Sequence, residues 1–187
     1  MLLDEIKSRT SRLHEQVEAT LDIMNDSFTL DAYRKLLGKF FGYIRPWEER
    51  VLAGLGAERA IFRGREKTFR LRSDLRFLGL GDEEIANLPV CEELPELDSV
   101  PRALGSMYVF EGATLGGQFI SSHLEKRFGE MATCGFFNSY GADVGRKWKE
   151  FREILLEHSS PHADPLIIGA AVETFERFHG WLEGRPA

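Results

Sequence analysis

Five histidines, His14, His123, His158, His162 and His179, are the only imidazoles this chain can offer to a metal or a proton. Most have spacings that argue against a shared site. His158 and His162 are four apart, but HSSPH puts Pro161 between them, and a proline there breaks the helical register of a two-histidine zinc motif. Glu176 and His179 have the Glu-x-x-His spacing of a di-iron bundle, yet no other histidine has a glutamate three residues before it. The two cysteines, Cys91 and Cys134, fit no repeated metal-ligand spacing and are too few for a disulfide framework, so the expected compartment is reducing.

His14 differs. At about 100° per helical residue, Lys7 lies about 20° from it, and Thr10 and Glu18 lie about 40° to either side. Lys7, Thr10, His14 and Glu18 therefore share one narrow stripe. A neutral imidazole ligates a metal through one nitrogen while a carboxylate accepts a hydrogen bond from the other, which fixes the tautomer and raises ligand basicity. Glu18, one turn on, is placed to be that acceptor. The same spacing equally describes a partly buried histidine satisfied by Glu18 with no ligand.

A second anomaly is ALGSMYVFEGATLGGQFISSHLEKRFG, which reads as helix at both ends yet contains Gly105, Gly112, Gly116 and Gly117. Each glycine costs about 1 kcal/mol against alanine in a helix interior. Gly112, Gly116 and Gly117 give three side-chain-free positions within six residues, where a backbone can kink and approach a flat ligand. Close helix packing through small residues is the competing explanation. A phosphate loop is not supported, since neither GK[ST] nor a preceding strand is present.

These residues need helices to position them. Leucine (23) outnumbers valine (7) and isoleucine (9), and period-two alternation is scarce, which predicts an all-α fold. A first helix is expected over about 3–21, with Leu3, Ile6, Leu13, Val17 and Leu21 as its stripe. A second follows Thr29 as N-cap, with Pro46 expected to kink or restart it. A third is expected from Arg65 to Leu78, stopped by Gly79 and Gly81. Pro89, Pro95 and Pro101 mark residues 88–101 as a connection into a helix capped by Ser99. Val144, Trp148, Phe151 and Leu155 form another amphipathic face. Asp164 as N-cap, with Pro165 at the first helical position, opens a last helix.

No repeat or composition break divides the chain, so one domain over 1–187 is expected. A net charge of −6 and a pI near 5.5 give no global attraction to nucleic acid. No apolar run approaches the roughly 18 to 20 residues of a membrane span. The N-terminus lacks the hydrophobic stretch of a signal peptide, so no membrane and a cytoplasmic location are expected.

The two anomalies together suggest a planar cofactor held between an axial histidine on one helix and a bare backbone on another. IKSRTSRLHEQVEA and YVFEGATLGGQF resemble the heme oxygenase family, particularly the compact bacterial enzymes associated with bacteriophytochromes. The similarity extends through GRKWKEFREIL and AVETFERFHGWL.

The resemblance implies a helical bundle with heme between a proximal helix and a kinked, glycine-rich distal helix. His14 falls at the position of the iron ligand and Glu18 matches the residue that orients it. Lys7, with Thr10 on the same stripe, lies where the family contacts a heme propionate; Lys149 and Arg152 of WKEFR fit the same task. Gly112, Gly116 and Gly117 align with distal glycines that leave room for dioxygen. Tyr108 is offset by one residue from a propionate-contacting tyrosine.

The implied reaction takes electrons from a separate ferredoxin or flavoprotein reductase. It opens heme, both cofactor and substrate, to biliverdin, carbon monoxide and ferrous iron, and the resemblance implies that biliverdin passes to a bacteriophytochrome. Arg63, Arg65, Lys67, Arg70, Arg72 and Arg76, the densest cationic segment, are expected to dock the donor. The chain departs from the animal pattern at Ala113, where those enzymes place an aspartate that organises distal water. The water network must then use the backbone, Thr114 or another residue. A non-enzymatic heme carrier and a helical interaction domain are the alternative readings.

Overall fold

In the computed structural model, which describes residues 1–184, the amphipathic stripes become seven α-helices and, among the described residues, no strand. They are α1 (Leu2–Leu21), α2 (Leu30–Leu55), α3 (Thr68–Phe77), α4 (Asp82–Ala86), α5 (Val100–Phe128), α6 (Val144–Glu157) and α7 (Ala163–Glu183). A 3-10 turn over Gly56–Phe62 follows α2. Residues 185–187 of the expected domain lie outside the described residues. The all-α expectation holds.

Pro46 neither breaks nor restarts α2, which runs unbroken from Leu30 to Leu55. Proline lacks the N–H that would bond the carbonyl four residues back, here Gly42. That carbonyl accepts the N–H of Cys91 instead, at 2.9 Å. Gly42 has no side chain to prevent the approach; a methyl there would lie 2.2 Å from the Pro89 oxygen. Arg50, two helical turns on, donates to the carbonyls of Leu94 (2.9 Å) and Glu92 (3.3 Å). The proline-rich connection is thus stapled along α2. Thr29 caps that helix as expected, its hydroxyl accepting the N–H of Ala32 at 3.1 Å.

Three boundaries differ from the sequence reading. α3 begins at Thr68, not Arg65, because Arg65 and Lys67 are drawn into the interior and the Glu48 carboxylate of α2 accepts the Lys67 and Thr68 N–H groups. α4 is an extra short helix that the glycine stop at residues 79 and 81 concealed. α7 begins at Ala163, so Asp164 and Pro165 lie inside its first turn and not at the cap and first position; before it, Ser160 Oγ accepts the Ala163 N–H at 3.1 Å and Asp164 accepts the Ser160 N–H at 3.1 Å. Ser99 has extended backbone but makes no side-chain cap.

Helix α7 is the central support. It packs most extensively against α5 and α1, while α2 packs against α3 and α5. At the α5–α7 crossing the backbones nearly touch, since a methyl on Gly105 would lie 2.0 Å from the Ile167 oxygen. Beside it, Trp47 Nε1 donates to Ser106 Oγ (2.8 Å), and Thr174 Oγ1 lies 2.7 Å from the same oxygen, linking α2, α5 and α7 through buried polar atoms. An aromatic group, Phe40, Tyr43, Trp47, Phe110 and Phe178, fills the space between, with ring centroids 4.6–5.9 Å apart along its chain of contacts. Both cysteines are free and buried.

Candidate functional site

A cleft opens between α1 and α5, floored by Phe175 of α7. Its inner part is a cavity of about 350 Å³ lined by His14, Val17, Phe40, Phe110, Phe136, Phe137 and Phe178 among others. Its outer part, about 680 Å³, is lined by Lys7, Thr10, Tyr108, Trp148 and Arg152. His14, Glu18, Val109, Gly112, Ala113, Leu115 and Phe175 border both. The inner part is mostly apolar and aromatic, with Lys67 its one lysine; the outer part is more polar and carries Lys7 and Arg152.

His14 is half-exposed, with Nδ1 3.6 Å from Glu18 Oε2, an approach just short of a hydrogen bond. Its ring stands edge-on to Phe175 at 6.0 Å between centroids. Nε2 makes no hydrogen bond among the described residues, so the nitrogen not facing Glu18 is left for a ligand. Thr10, on the same stripe, is buried and donates to the Ile6 carbonyl at 2.8 Å.

Two of the other histidines have structural partners, while the buried Nε2 of His123 has no hydrogen-bond partner among the described residues. His158 Nδ1 lies 2.8 Å from the Ile154 carbonyl and Nε2 lies 2.8 Å from Glu58. Burial opposes its charge, but these two acceptors outweigh it and raise its pKa. His179 Nε2 lies 2.9 Å from Thr20 Oγ1. Among the described residues no group of three or more His, Cys, Asp or Glu side chains is arranged to hold a metal.

The four glycines of α5 divide into two pairs. The helix runs unbroken through all of them. A methyl on Gly116 would meet nothing within 4 Å, and one on Gly112 would meet only the Trp148 ring at 3.6 Å. These two border the cleft. A methyl on Gly117 would lie 1.9 Å from the Phe137 oxygen, so its hydrogen faces the 132–140 segment and it borders neither cavity. Gly105 faces α7.

The segment that Gly117 admits is held from below by Asp74 of α3. Asp74 Oδ1 accepts from Thr133 Oγ1 (2.9 Å) and the Gly135 N–H (3.2 Å), and Oδ2 accepts from the Phe136 N–H (2.8 Å). Burial pushes its carboxyl up, and these donors only partly offset that. Phe136, Phe137 and Ser139 reach the inner cavity from this segment. Sequence reading missed them, as it missed Lys67 as a cavity residue. The available signal was CGFFNSYG, a paired aromatic bracketed by turn residues.

At the outer end, Lys7 and Arg152 are exposed and enter no ion pair among the described residues. Tyr108 stands beside them, its ring 5.5 Å from that of Trp148. Lys149 is not brought to the cleft: its side chain is 80% exposed, 3.9 Å from Glu153, and borders neither cavity. Arg152 follows Trp148 by four residues and so shares its helix face, whereas Lys149 is turned about 100° away.

The Heme oxygenase family model matches residues 1–184, essentially all of what the cleft is built from. The chain belongs to the heme oxygenase family. It is also 29% identical over 167 residues to the protein named Heme oxygenase from Xanthomonas campestris pv. campestris (strain 8004), a match covering 83% of this chain and 93% of that relative.

Family membership makes heme the group to test against the cleft, and the residues fit it. A half-exposed imidazole with an unbonded Nε2 stands on one wall and side-chain-free backbone at Gly116 on the other. Aromatic rings surround the inner end, and at the outer end stand two cations in no ion pair among the described residues, the charge that propionates would need. The side-chain hydroxyl of Thr114 is turned to the Glu111 carbonyl at 2.6 Å, so its hydrogen is already used.

Proposed function

We propose that heme occupies the cleft between α1 and α5, with His14 Nε2 as its iron ligand and Glu18 as acceptor for Nδ1. As a member of its family the chain is a heme oxygenase, an oxidoreductase that uses dioxygen and electrons from a reductase to convert heme to biliverdin, carbon monoxide and ferrous iron. The observation that carries the site assignment is His14, with its unbonded Nε2, in the same cleft as the open backbone of Gly116. Heme, when bound, supplies the redox-active iron and is itself consumed.

The protein's part is binding and orientation. Glu18 holds the imidazole in one tautomer and makes it a stronger donor. Phe40, Phe136, Phe137 and Phe178 exclude water from the inner end, which strengthens electrostatic interactions there. Lys7 and Arg152 draw the propionate edge to the mouth, with Tyr108 and Thr10 beside it. That fixes which ring edge points inward. Gly112 and Gly116 keep space open on the α5 side.

The defining experiment is heme titration of the protein and of His14→Ala. The intact protein should take up one heme with a histidine-ligated spectrum and, given reductant and oxygen, yield a green linear tetrapyrrole and carbon monoxide. His14→Ala should lose the axial signature while the apolar pocket retains some heme. An unchanged iron–nitrogen signature in that variant would remove His14 from the site. Persistent ferrous heme without either product in the intact protein would favour a carrier.

Charge reversal separates the mouth residues. Lys7→Glu and Arg152→Glu should each weaken heme affinity by about two- to fivefold, as expected for exposed charge pairs, or change the biliverdin isomer formed. Lys149→Glu should do neither. Equal effects from all three variants would mean only a diffuse charge effect.

The electron donor is a ferredoxin or flavoprotein. Of the six cations read as its docking patch, Arg65 and Lys67 are buried and cannot take part; their charges are committed to Glu111. Arg63, Arg70 and Arg72 remain for an acidic partner, while Arg76 is paired with Asp82 at 2.6 Å. The chain acts as one domain. The two free thiols support a reducing cytoplasmic setting. Among the described residues no helix is long and apolar enough to cross a membrane. The likeness to bacteriophytochrome-associated enzymes supports delivery of biliverdin to such a photoreceptor.

A further inference from the structure

The inner end of the cleft abuts a buried charged cluster that the site as described does not use. Glu111 of α5, Arg65 and Lys67 have side chains only 2–4% exposed. Arg65 donates to one carboxylate oxygen of Glu111, and Lys67 Nζ donates to the other at 2.6 Å and to the Arg65 carbonyl at 3.0 Å. Tyr140 OH also donates to Glu111, at 2.8 Å. Burial works against the charge of Glu111, yet Lys67 and Arg65 outweigh it and hold its carboxyl below the usual range.

Two cations thus share one carboxylate. Of the groups facing them from neighbouring elements, Glu48 of α2 directs Oε1 at the Lys67 and Thr68 amides and its carboxylate also attracts the Lys67 charge, but neither Glu48 nor Glu111 borders the inner cavity. Lys147 of α6, 6.0 Å from the centre of the Tyr140 ring, adds further positive charge. A buried ion cluster is a poor source of stability, because desolvation offsets most of the attraction. Lys67, however, borders the inner cavity beside Gly112, Gly116 and Ser139. Neither nearby hydroxyl competes as a donor, since Thr114 and Ser139 donate to the carbonyls of Glu111 and Phe136.

We propose that Lys67 makes the α5 side of the cleft cationic, so that the site opposite His14 favours an anionic ligand, or negative charge developing on one, over a neutral ligand. This rests on the reading of His14 as the iron ligand. Glu111 is the positioning residue: it holds the ammonium group in place and attenuates its field. A charge fixed in place at a mostly apolar wall needs no reorganisation to act on such a ligand.

The test uses the ferric heme complex, with azide as anion and imidazole as neutral control. Lys67→Met, which keeps the aliphatic stem, should raise the azide Kd about tenfold, the size of one charge felt across a partly hydrated pocket, with imidazole affinity little changed. Glu111→Gln should shift azide the opposite way, lowering its Kd severalfold. A merely structural role gives no such opposition of sign. Azide-to-imidazole ratios unchanged in both variants would overturn the proposal.

Should neither variant fold, the unmodified protein reports the same field. Its ferrous carbon monoxide complex should show a C–O stretch below that of an apolar pocket, and a stretch at the apolar value would overturn the proposal. Absence of any heme uptake overturns the reading of the cleft and the proposal with it; heme bound through His14 without these effects overturns the proposal alone.

Discussion

Replacing Gly116 and Gly117 by alanine should shift thermal stability in opposite directions, although the two residues are adjacent. A methyl on Gly116 meets nothing within 4 Å, and alanine is favoured over glycine in a helix by about 1 kcal/mol. Heme-free Gly116→Ala should therefore melt a few degrees higher, by about 2–4 °C. A methyl on Gly117 meets the Phe137 backbone oxygen at 1.9 Å. A backbone atom cannot swing aside as a flexible side chain can, so Gly117→Ala should cost about 3 kcal/mol, the upper range for overpacking. Turnover should show the complementary pattern. Gly116→Val fills space beside heme and should slow ring opening on the order of a hundredfold at equal heme occupancy, the size of a misplaced reacting group. Gly117→Ala should retain near-normal turnover per correctly folded complex. Calorimetry of the heme-free proteins with turnover normalised to bound heme checks both. Two variants that melt alike would end the division of the glycines.

Asp74→Ala should be the most disruptive single change far from the cleft. It removes the acceptor for the Gly135 and Phe136 amides and the Thr133 hydroxyl together, and an orphaned buried donor costs more than a lost average hydrogen bond. A loss of about 3 kcal/mol is expected, or roughly 6–12 °C in melting temperature for a chain of this length. Heme should bind more weakly as well, because Phe136 and Phe137 lose their tether. Asp74→Asn should recover only part of this, since one of its two terminal groups would point N–H at N–H. A heme affinity unchanged in Asp74→Ala would show that the 132–140 segment is held in place by packing alone.

Legibility in the sequence followed the range of the interaction. Thr29 as cap, the stripe of α1 and the face of α6 are local, and each was readable from spacing. Lys7, His14 and Glu18 were readable for the same reason, being one turn or two apart on one helix. The boundary of α3 was not, because Arg65 and Lys67 look like surface charges until Glu111, more than forty residues later, draws them inward. That α2 runs on through Pro46, where sequence predicts a kink or a restart, was not readable, because the compensating partner, the Cys91 N–H, comes from a distant connection. The glycines were correctly marked as anomalous, but sequence could not sort them. Which neighbour each one admits, backbone, side chain or open cleft, depends on how α5 is rotated against α7 and the 132–140 segment. Asp74 was hidden in an arginine-rich helix whose mean character is polar.

The two walls of the cleft share few contacts with each other, and both lean on α7. The width of the gap is therefore set by the α1–α7 seam, with α7 serving as fulcrum. A flat molecule entering or leaving need only pry that seam, without disturbing the α5–α7 crossing locked at Gly105. Its residence time can then be no shorter than the interval between spontaneous openings of the N-terminal helix.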